Sequence, residues 1–236
     1  MLPQYYPEWH QTADLFIAGP NYGTNLGPFV MALSGTVGAT IAAVSRSIPG
    51  FATSASNKAV PYFNVTGPAH PAVQAAKVTF EIVNEFIKNT PAGQQVLPLG
   101  YGVNINIPDL VNGTMPPVVK SRLTGQANTD VAVFNETTGL FTWDNVDPVA
   151  AGINAAYSGD TSLPGETWVV GGGSISVSAF TLDWSAPSIE YTDAVYGKAE
   201  SLFSGSTSDK KVYSKRAVEE RMHKRGVMLS GRDGGA

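Results

Sequence analysis

Residues Leu15-Phe16-Ile17-Ala18 run into Gly19-Pro20-Asn21-Tyr22-Gly23-Thr24-Asn25-Leu26-Gly27, and a short apolar stretch later comes Ser34-Gly35-Thr36-Val37-Gly38-Ala39. Four consecutive apolar residues between Asp14 and a Gly-Pro pair have no polar face, which is the pattern of an interior strand in a parallel sheet. The Ser/Gly/Thr group ahead of Ala39-Thr40-Ile41-Ala42-Ala43-Val44 offers a capping hydroxyl and predicts a helix over Thr36 to Val44. Pro49-Gly50 then turns the chain into a second strand at Phe51-Ala52-Thr53-Ser54, so that Ala13 to Ser56 spells one β-α-β unit. Sheets of that kind bind ligands beyond the carboxyl ends of their strands, which makes Gly19 to Gly38 the place to look for chemistry.

Further along, Val73, Ala76, Phe80, Val83 and Ile87 recur at helical spacing and predict an amphipathic helix between Pro71 and Asn89, with those five residues facing the sheet. Tyr101 to Pro108 alternates apolar residues with Asn104 and Asn106, a strand whose asparagines are expected to satisfy backbone groups at its edge rather than bind ligand. Val131-Ala132-Val133-Phe134 and Leu140-Phe141-Thr142-Trp143 flank Asn135 to Gly139, a hairpin signal with glycine placed for positive φ. Trp168-Val169-Val170 and Ile175 to Phe180 read as a last strand pattern, with Gly171-Gly172-Gly173 permitting a bend. With no internal repeat and no linker-like stretch, residues 1–204 are expected to form one domain and 205–236 a basic, solvated and disordered tail.

The 236 residues, 43% of them hydrophobic and 10% aromatic, suffice for one well-buried α/β domain. Only 14% are charged, and 25 glycines and 16 prolines make the chain loop-rich, which suits a secreted protein better than a cytosolic one. The absence of cysteine excludes disulfides and thiolate metal sites. From Asp209 onward eight Lys/Arg face four Asp/Glu, so an acidic body carries a basic tail; its cations are not interleaved with aromatics, and no nucleic-acid partner is expected. No apolar stretch approaches the ~20 residues of a membrane span, and no membrane partner is expected either. Sequons at Asn64, Asn112 and Asn135 are glycosylation acceptors if the chain enters the secretory pathway. The opening Met1-Leu2-Pro3-Gln4-Tyr5-Tyr6-Pro7 has no signal-peptide pattern, which leaves a cytoplasmic location as the alternative.

His10, His70 and His223 are scattered without metal-ligand or triad spacing, and Ser45, Ser54 and Ser56 lack a nucleophile-elbow context. Glu81 and Glu85 lie one helical turn apart on a solvated face. Asn21, where the first strand ends, either shapes a Gly-Pro-Asn turn or offers its amide oxygen to an octahedral shell around Mg²⁺ or Mn²⁺. Ser34, Gly35 and Thr36 present hydroxyls and N–H groups at a helix N-terminus, which caps a helix and is also a physical anion site.

The strings AGPNYGTNLG and SGTVGA, the Pro49-Gly50 turn into a strand and GVNINIPDL at Gly102 to Leu110 together resemble the SurE family of metal-dependent phosphatases and nucleotidases, in its fungal acid-phosphatase branch. The resemblance is strongest over Ala13 to Ser56, weaker at Gly102 to Leu110 and from Trp168 to Asp183, and absent from the tail. It implies a three-layer, Rossmann-like, mostly parallel sheet with a β-hairpin extension, in which Tyr101 to Pro108 is the next strand of the central sheet. It implies a divalent metal, Mg or Mn, with Asn21 as a ligand; a phosphate site at Asn25, Ser34, Gly35 and Thr36; and a phosphomonoester such as a nucleoside monophosphate as substrate. The hairpin is the element through which it implies a homodimer.

The family opens with a strand into Asp-Asp-Gly, whose carboxylates hold the metal. This sequence contains no Asp-Asp pair, so no catalytic residue is assigned and the N-terminal part of the domain is expected to be missing, leaving a sheet with an unpaired apolar edge. A lost upstream segment and a true remnant both fit. The corresponding functions are a metal-dependent phosphomonoester hydrolase (acid phosphatase or 5′(3′)-nucleotidase type), inactive as written, and a catalytically dead binding or structural domain. Low charge alone suggests a third, a carbohydrate-contacting secreted protein.

Overall fold

The β-α-β unit forms as its pattern requires, and the rest of the sheet is built outward from it. The computed structural model describes residues 13–56, 59–110, 114–146 and 150–203, so the basic tail and Asn112 lie outside the described residues. Residues Met1–Ser185 fall in one compact unit and Ala186–Ala236 in a second.

In the first unit, strand β1 (Phe16–Tyr22) leads through helices α1 (Gly27–Leu33) and α2 (Gly35–Val44) to β2 (Gly50–Ala55). Helix α3 (Pro71–Lys88) precedes β3 (Tyr101–Ile107), β4 (Val118–Ser121) follows, and β5 (Asp130–Asn135) and β6 (Leu140–Asn145) make the expected antiparallel hairpin, with Gly139 at φ 68°. Helix α4 (Glu166–Gly171) and β7 (Ile175–Thr181) complete the unit. The main sheet has the order β1-β2-β3-β7-β4, parallel throughout except where β7 runs antiparallel to β3.

Three sequence expectations are corrected here. Leu15 to Ala18 is not interior: β1 is the margin of the sheet among the described residues, and Ile17 on it is 42% exposed. Trp168-Val169-Val170 is not strand but one turn of helix in α4, because Gly165 and the following glutamate start a helix that Gly172 stops. The helix over Pro71–Lys88 exists, but its buried stripe is Ala75, Val78, Thr79, Ile82 and Val83, while Phe80 and Ile87 face outward. Small Ala75 and Thr79 let the helix approach the sheet closely, and the stripe rotates to use them. His70, assigned no role, caps this helix: its Nδ1 accepts from Ala72 N–H at 3.1 Å.

The sheet is covered on both sides, giving three layers. Against α3 pack Phe51, Ala55, Val103, Ile105, Ile107 and Ile175; on the other side Met31 of α1 and Val37 of α2 meet Ala52 and Phe180. Strand alternation puts Ser54, Asn104, Asn106, Ser176 and Ser178 on that second side, all fully buried. One face of the same strands is therefore aliphatic and the other largely polar. Among the described residues no single helix is long and apolar enough to cross a membrane.

The second unit, as far as described, holds α5 (Glu190–Gly197) and a 3₁₀ turn, Glu200–Leu202. Thr192 Oγ1 donates to the Pro187 carbonyl at 2.6 Å, and the Tyr196 and Phe203 rings meet edge to face with centroids 5.9 Å apart.

Candidate functional site

Asn21 reaches the polar face through a bulge. Ala18 pairs with Ala52 and Asn21 with Ser54, so β1 spends one residue more than β2 across that interval. Without the extra residue Asn21 would point to the opposite face; with it, the side chain is re-aimed beside Ser54. The bulge falls at Gly19-Pro20, a cis peptide. Gly19 has φ 102° and lies so close to β2 that a Cβ would collide with the Thr53 carbonyl oxygen, so no other residue fits there.

From this position Asn21 Nδ2 donates to the Gly23 carbonyl at 2.9 Å and to Ser54 Oγ at 3.2 Å, leaving Oδ1 without a donor among the described residues. Ser54 Oγ also accepts from Asn25 Nδ2 at 2.6 Å. Asn25 is buried and is the hub of the loop: its N–H donates to Asn106 Oδ1 at 2.7 Å, and its carbonyl accepts from Asn104 Nδ2 at 2.9 Å and Asn106 Nδ2 at 3.2 Å. The expectation that Asn104 and Asn106 serve backbone groups is met, with the difference that the backbone belongs to a loop laid over the centre of the sheet rather than to a strand edge.

Ser34 closes α1 and opens α2. Its N–H donates to the Val30 carbonyl at 2.9 Å, its Oγ accepts from Val37 N–H at 3.1 Å, and the two helices bend by 80° around it. Thr40 and Val44, late in α2, lie against Gly50 at the start of β2. The helix therefore runs back against the strands, with its first turn toward their carboxyl ends, the same end of the sheet as Asn21 and Ser54. The N–H groups of Gly35 and Thr36 have no acceptor among the described residues, as expected of a first helical turn, and Gly35 is exposed.

Glu166 is the residue that sequence reasoning missed. It is fully buried at the first position of α4, and its Oε1 accepts from the Gly27 N–H at 2.6 Å. Asn104 Nδ2 lies 3.4 Å from Oε1 and 3.2 Å from Oε2. Burial pushes its carboxyl up to about 7; bonds from the Gly27 N–H, the Ser178 hydroxyl and the Asn104 amide work against that rise. Ser178 in turn shares a 2.8 Å bond with Ser121. Glu166 gets there because its N–H bonds the Arg122 carbonyl and Arg122 N–H bonds Pro164, and because Gly165 passes so close to Gly125 that any Cβ would collide with the Gly125 carbonyl oxygen. The available signal was that Glu166 is the one ionisable residue between Asp160 and Asp183, set among glycine and apolar residues.

The donor set does not fit a tightly held Mg²⁺ or Mn²⁺. Such ions are anchored by carboxylate oxygens, whereas Asn21 and Ser54 are neutral and Glu166 faces inward onto Gly27 and Asn104. Among the described residues no three His, Cys, Asp or Glu side chains gather as a metal-holding group. Glu81 and Glu85 are exposed on α3, where Glu85 pairs with Lys88 at 3.2 Å. Of the sequons, Asn64 is exposed, and Asn135 Oδ1 accepts from the N–H groups of Thr137 and Thr138 in the hairpin turn.

An acid phosphatase of Yarrowia lipolytica is 40% identical over 194 residues, 77% of this chain and 53% of that protein, so the chain spans about half the length of the curated relative it matches. The crystal structure of SurE protein from Aquifex aeolicus superposes with a TM-score of 0.53 at 20% identity, over 84% of this chain and 70% of that one, which establishes a common fold. The model of the survival protein SurE family matches residues 4–132, more than half of the sequence, including the Gly19 to Gly27 loop, α2 and strands β1 to β3, and on that match the chain belongs to the SurE family.

Proposed function

We propose that the chain carries the phosphate-binding part of a phosphomonoester hydrolase of acid-phosphatase or nucleotidase type. What supports this reading is that two groups suited to a phosphate lie at the same end of the sheet: Asn21, whose amide oxygen has no donor among the described residues, and the first turn of α2, where the N–H groups of Gly35 and Thr36 have no acceptor among them. A phosphoryl group is anionic, and N–H groups at the start of a ten-residue helix are fixed donors for its oxygens. Ser34 contributes its cap, which holds those donors in place, and Thr36 adds a hydroxyl. Asn25 gives its N–H to Asn106 Oδ1 and one Nδ2 proton to Ser54 Oγ, which places the loop, and its second Nδ2 proton is what it has to offer a phosphate oxygen. The relative named acid phosphatase supports the same chemistry.

In this reading Asn21 Oδ1 would be one neutral oxygen donor to a divalent metal, Mg or Mn, and alone it would hold the ion only weakly. The metal's chemistry would be to neutralise phosphoryl charge. Nucleoside monophosphates are the proposed substrates, a homodimer through the β5-β6 hairpin the proposed assembly, and a secreted protein glycosylated at Asn64, Asn112 and Asn135 the proposed form. A second reading, a binding domain without turnover, is favoured by the same donor set, which lacks a carboxylate cluster among the described residues.

The test has two arms. Inorganic phosphate added to the 236-residue chain should shift the amide resonances of Gly35 and Thr36 first; unmoved resonances would reject the phosphate site under either reading. Hydrolysis of p-nitrophenyl phosphate with Mg²⁺ or Mn²⁺ should be negligible in residues 1–236 and should appear in a longer protein that includes an Asp-Asp-Gly segment. There Asn21→Ala should cut turnover at least tenfold while Asn64→Ala leaves it unchanged. A longer protein that binds phosphate without turnover would establish the second reading.

A further inference from the structure

The one buried carboxylate among the described residues is built into the underside of the candidate loop rather than into the candidate site itself. Glu166 accepts from Gly27 N–H at 2.6 Å, the end of the Gly23 to Gly27 loop, and from Asn104 Nδ2. That same Asn104 Nδ2 donates to the Asn25 carbonyl at 2.9 Å. Asn25 Nδ2 holds Ser54 Oγ, and Ser54 Oγ is the acceptor for Asn21 Nδ2. A continuous chain of directional bonds thus joins a carboxylate on α4 to the amide of Asn21 on β1.

We infer that Glu166 is a positioning residue for the loop Asn21 to Gly27, fixing Asn25 and, through Ser54, the orientation of the Asn21 amide. This inference rests on the functional reading above only for what the loop binds. The physical ground is that an ionised carboxylate strengthens the bonds it accepts and has no donor to offer, whereas a protonated one does. Asn104 Oδ1, buried beside it, has no hydrogen-bond partner among the described residues. A proton gained by Glu166 has that acceptor within the same cluster, and using it would turn the Asn104 amide away from the Asn25 carbonyl.

Among the described residues no other charge competes for this role. The faces packed on Glu166 from α1, β3 and β7 carry Gly27, Asn104 and Ser178, none of them titratable. Arg122, after β4, gives its Nε to the Leu163 carbonyl at 2.9 Å and its Nη1 to Thr124 Oγ1 at 3.0 Å. Lys120 sits on the opposite face of β4, in register with Val177, and Asp160 is bonded to Ser162. Burial pushes the Glu166 carboxyl up to about 7.

The experiment is a pH titration of amide resonances in the unmutated 236-residue chain from pH 5 to 9. The Gly27 N–H should move with a midpoint near 7, and the Asn25 N–H and the Asn21 side-chain amide should follow the same curve. Glu166→Gln, a neutral side chain of the same shape, should flatten all three curves while thermal melting confirms a folded protein. Sulfate, a tetrahedral dianion whose charge is constant over this range, should bind Gly35 and Thr36 at least threefold differently at pH 5.5 and pH 8.5 in the unmutated chain, and equally at the two values in Glu166→Gln. A Gly27 resonance that titrates while Asn25 and Asn21 stay still would overturn the inference, because Glu166 would then be a local strut. A Gly27 resonance that does not titrate overturns it as well, even if the variant fails to fold. Sulfate that shifts neither Gly35 nor Thr36 in any protein would count against the phosphate site, while concerted titration of Gly27, Asn25 and Asn21 would still uphold the positioning role.

Discussion

Both faces of strands β2 and β3 are buried, and they differ in content: one is apolar, the other largely polar and continued by the serines of β7. Toward α3 stand Phe51, Val103, Ile105, Ile107 and Ile175; toward the loop and α4 stand Ser54, Asn104, Asn106, Ser176 and Ser178, with Glu166 above them. Burying apolar surface stabilises without regard to direction. Buried amides and carboxylates at best offset their own desolvation, but their bonds fix angles and register. The first face therefore holds the fold, and the second holds a loop in one geometry.

The largest test of that division is on the apolar face. Ile105 is fully buried on the central strand, and Ile105→Ala should lower the free energy of unfolding by about 2–5 kcal/mol, read from the denaturant midpoint. The Gly27-Asn25-Ser54 bonds should survive in what remains folded. A loss under about 1 kcal/mol would mean that the apolar face is not the main source of stability.

The polar face should reveal itself through pH. Glu166 has a folded-state pKa of about 7 against an ordinary 4.5, so the folded protein holds this proton more tightly than the unfolded chain does. The resulting stability is fully present below 4.5 and is lost as pH rises through 7, a loss of about 3 kcal/mol, because each tenfold difference in proton affinity between the two states is worth roughly 1.4 kcal/mol. Urea midpoints between pH 4.5 and 8 should fall accordingly, and Glu166→Gln should remove this part of the slope. A midpoint that rises with pH in the unmutated chain and is unchanged by the substitution would contradict the sign.

The division also explains what the sequence could and could not reveal. The β-α-β unit was legible because its strands, its helix cap and its turn are each local patterns. The alternation in β3 was legible too, since Val103, Ile105 and Ile107 against Asn104 and Asn106 announce two different faces. Helix α1 was not, because Pro28 after Gly27 looks like more loop, although proline is well placed in a first helical turn. In α3 the large residues Phe80 and Ile87 drew the apolar stripe to the wrong side, while small Ala75 and Thr79 set the true one. Trp168-Val169-Val170 is too short for its period to separate strand from helix. Glu166 was out of reach for another reason: its main partner, Gly27, lies 139 residues away, and nothing local marks a carboxylate as buried.

A smaller effect is expected within the polar face. Ser54→Ala removes the acceptor shared by Asn21 Nδ2 and Asn25 Nδ2 and leaves the buried Asn25 amide short of a partner, at a cost of about 2 kcal/mol. The Asn21 side-chain resonance should broaden or shift at the same time. A variant as stable as the parent, with Asn21 unmoved, would show that the network does not depend on its serine.

The smallest effect has the opposite sign, and it comes from the neighbouring residue. Thr53 pairs with Ile105 and shares the apolar face with Phe51 and Ala55, so its hydroxyl points into aliphatic surroundings. It is fully buried, and Thr53 Oγ1 has no hydrogen-bond partner among the described residues, whereas Ser54 Oγ, one residue on and facing the other way, accepts two. An unpaired buried hydroxyl is a cost, and a methyl group of nearly the same size removes it. Thr53→Val should therefore raise stability by about 1 kcal/mol, by thermal melting or denaturant midpoint, with no change in the Asn21, Asn25 or Gly27 resonances. Two adjacent hydroxyls on one strand would then differ in sign solely through the face they occupy. Should Thr53→Val destabilise the protein as much as Ser54→Ala, the hydroxyl on the apolar face has a partner of its own and the separation of the two faces is less sharp than their contents suggest.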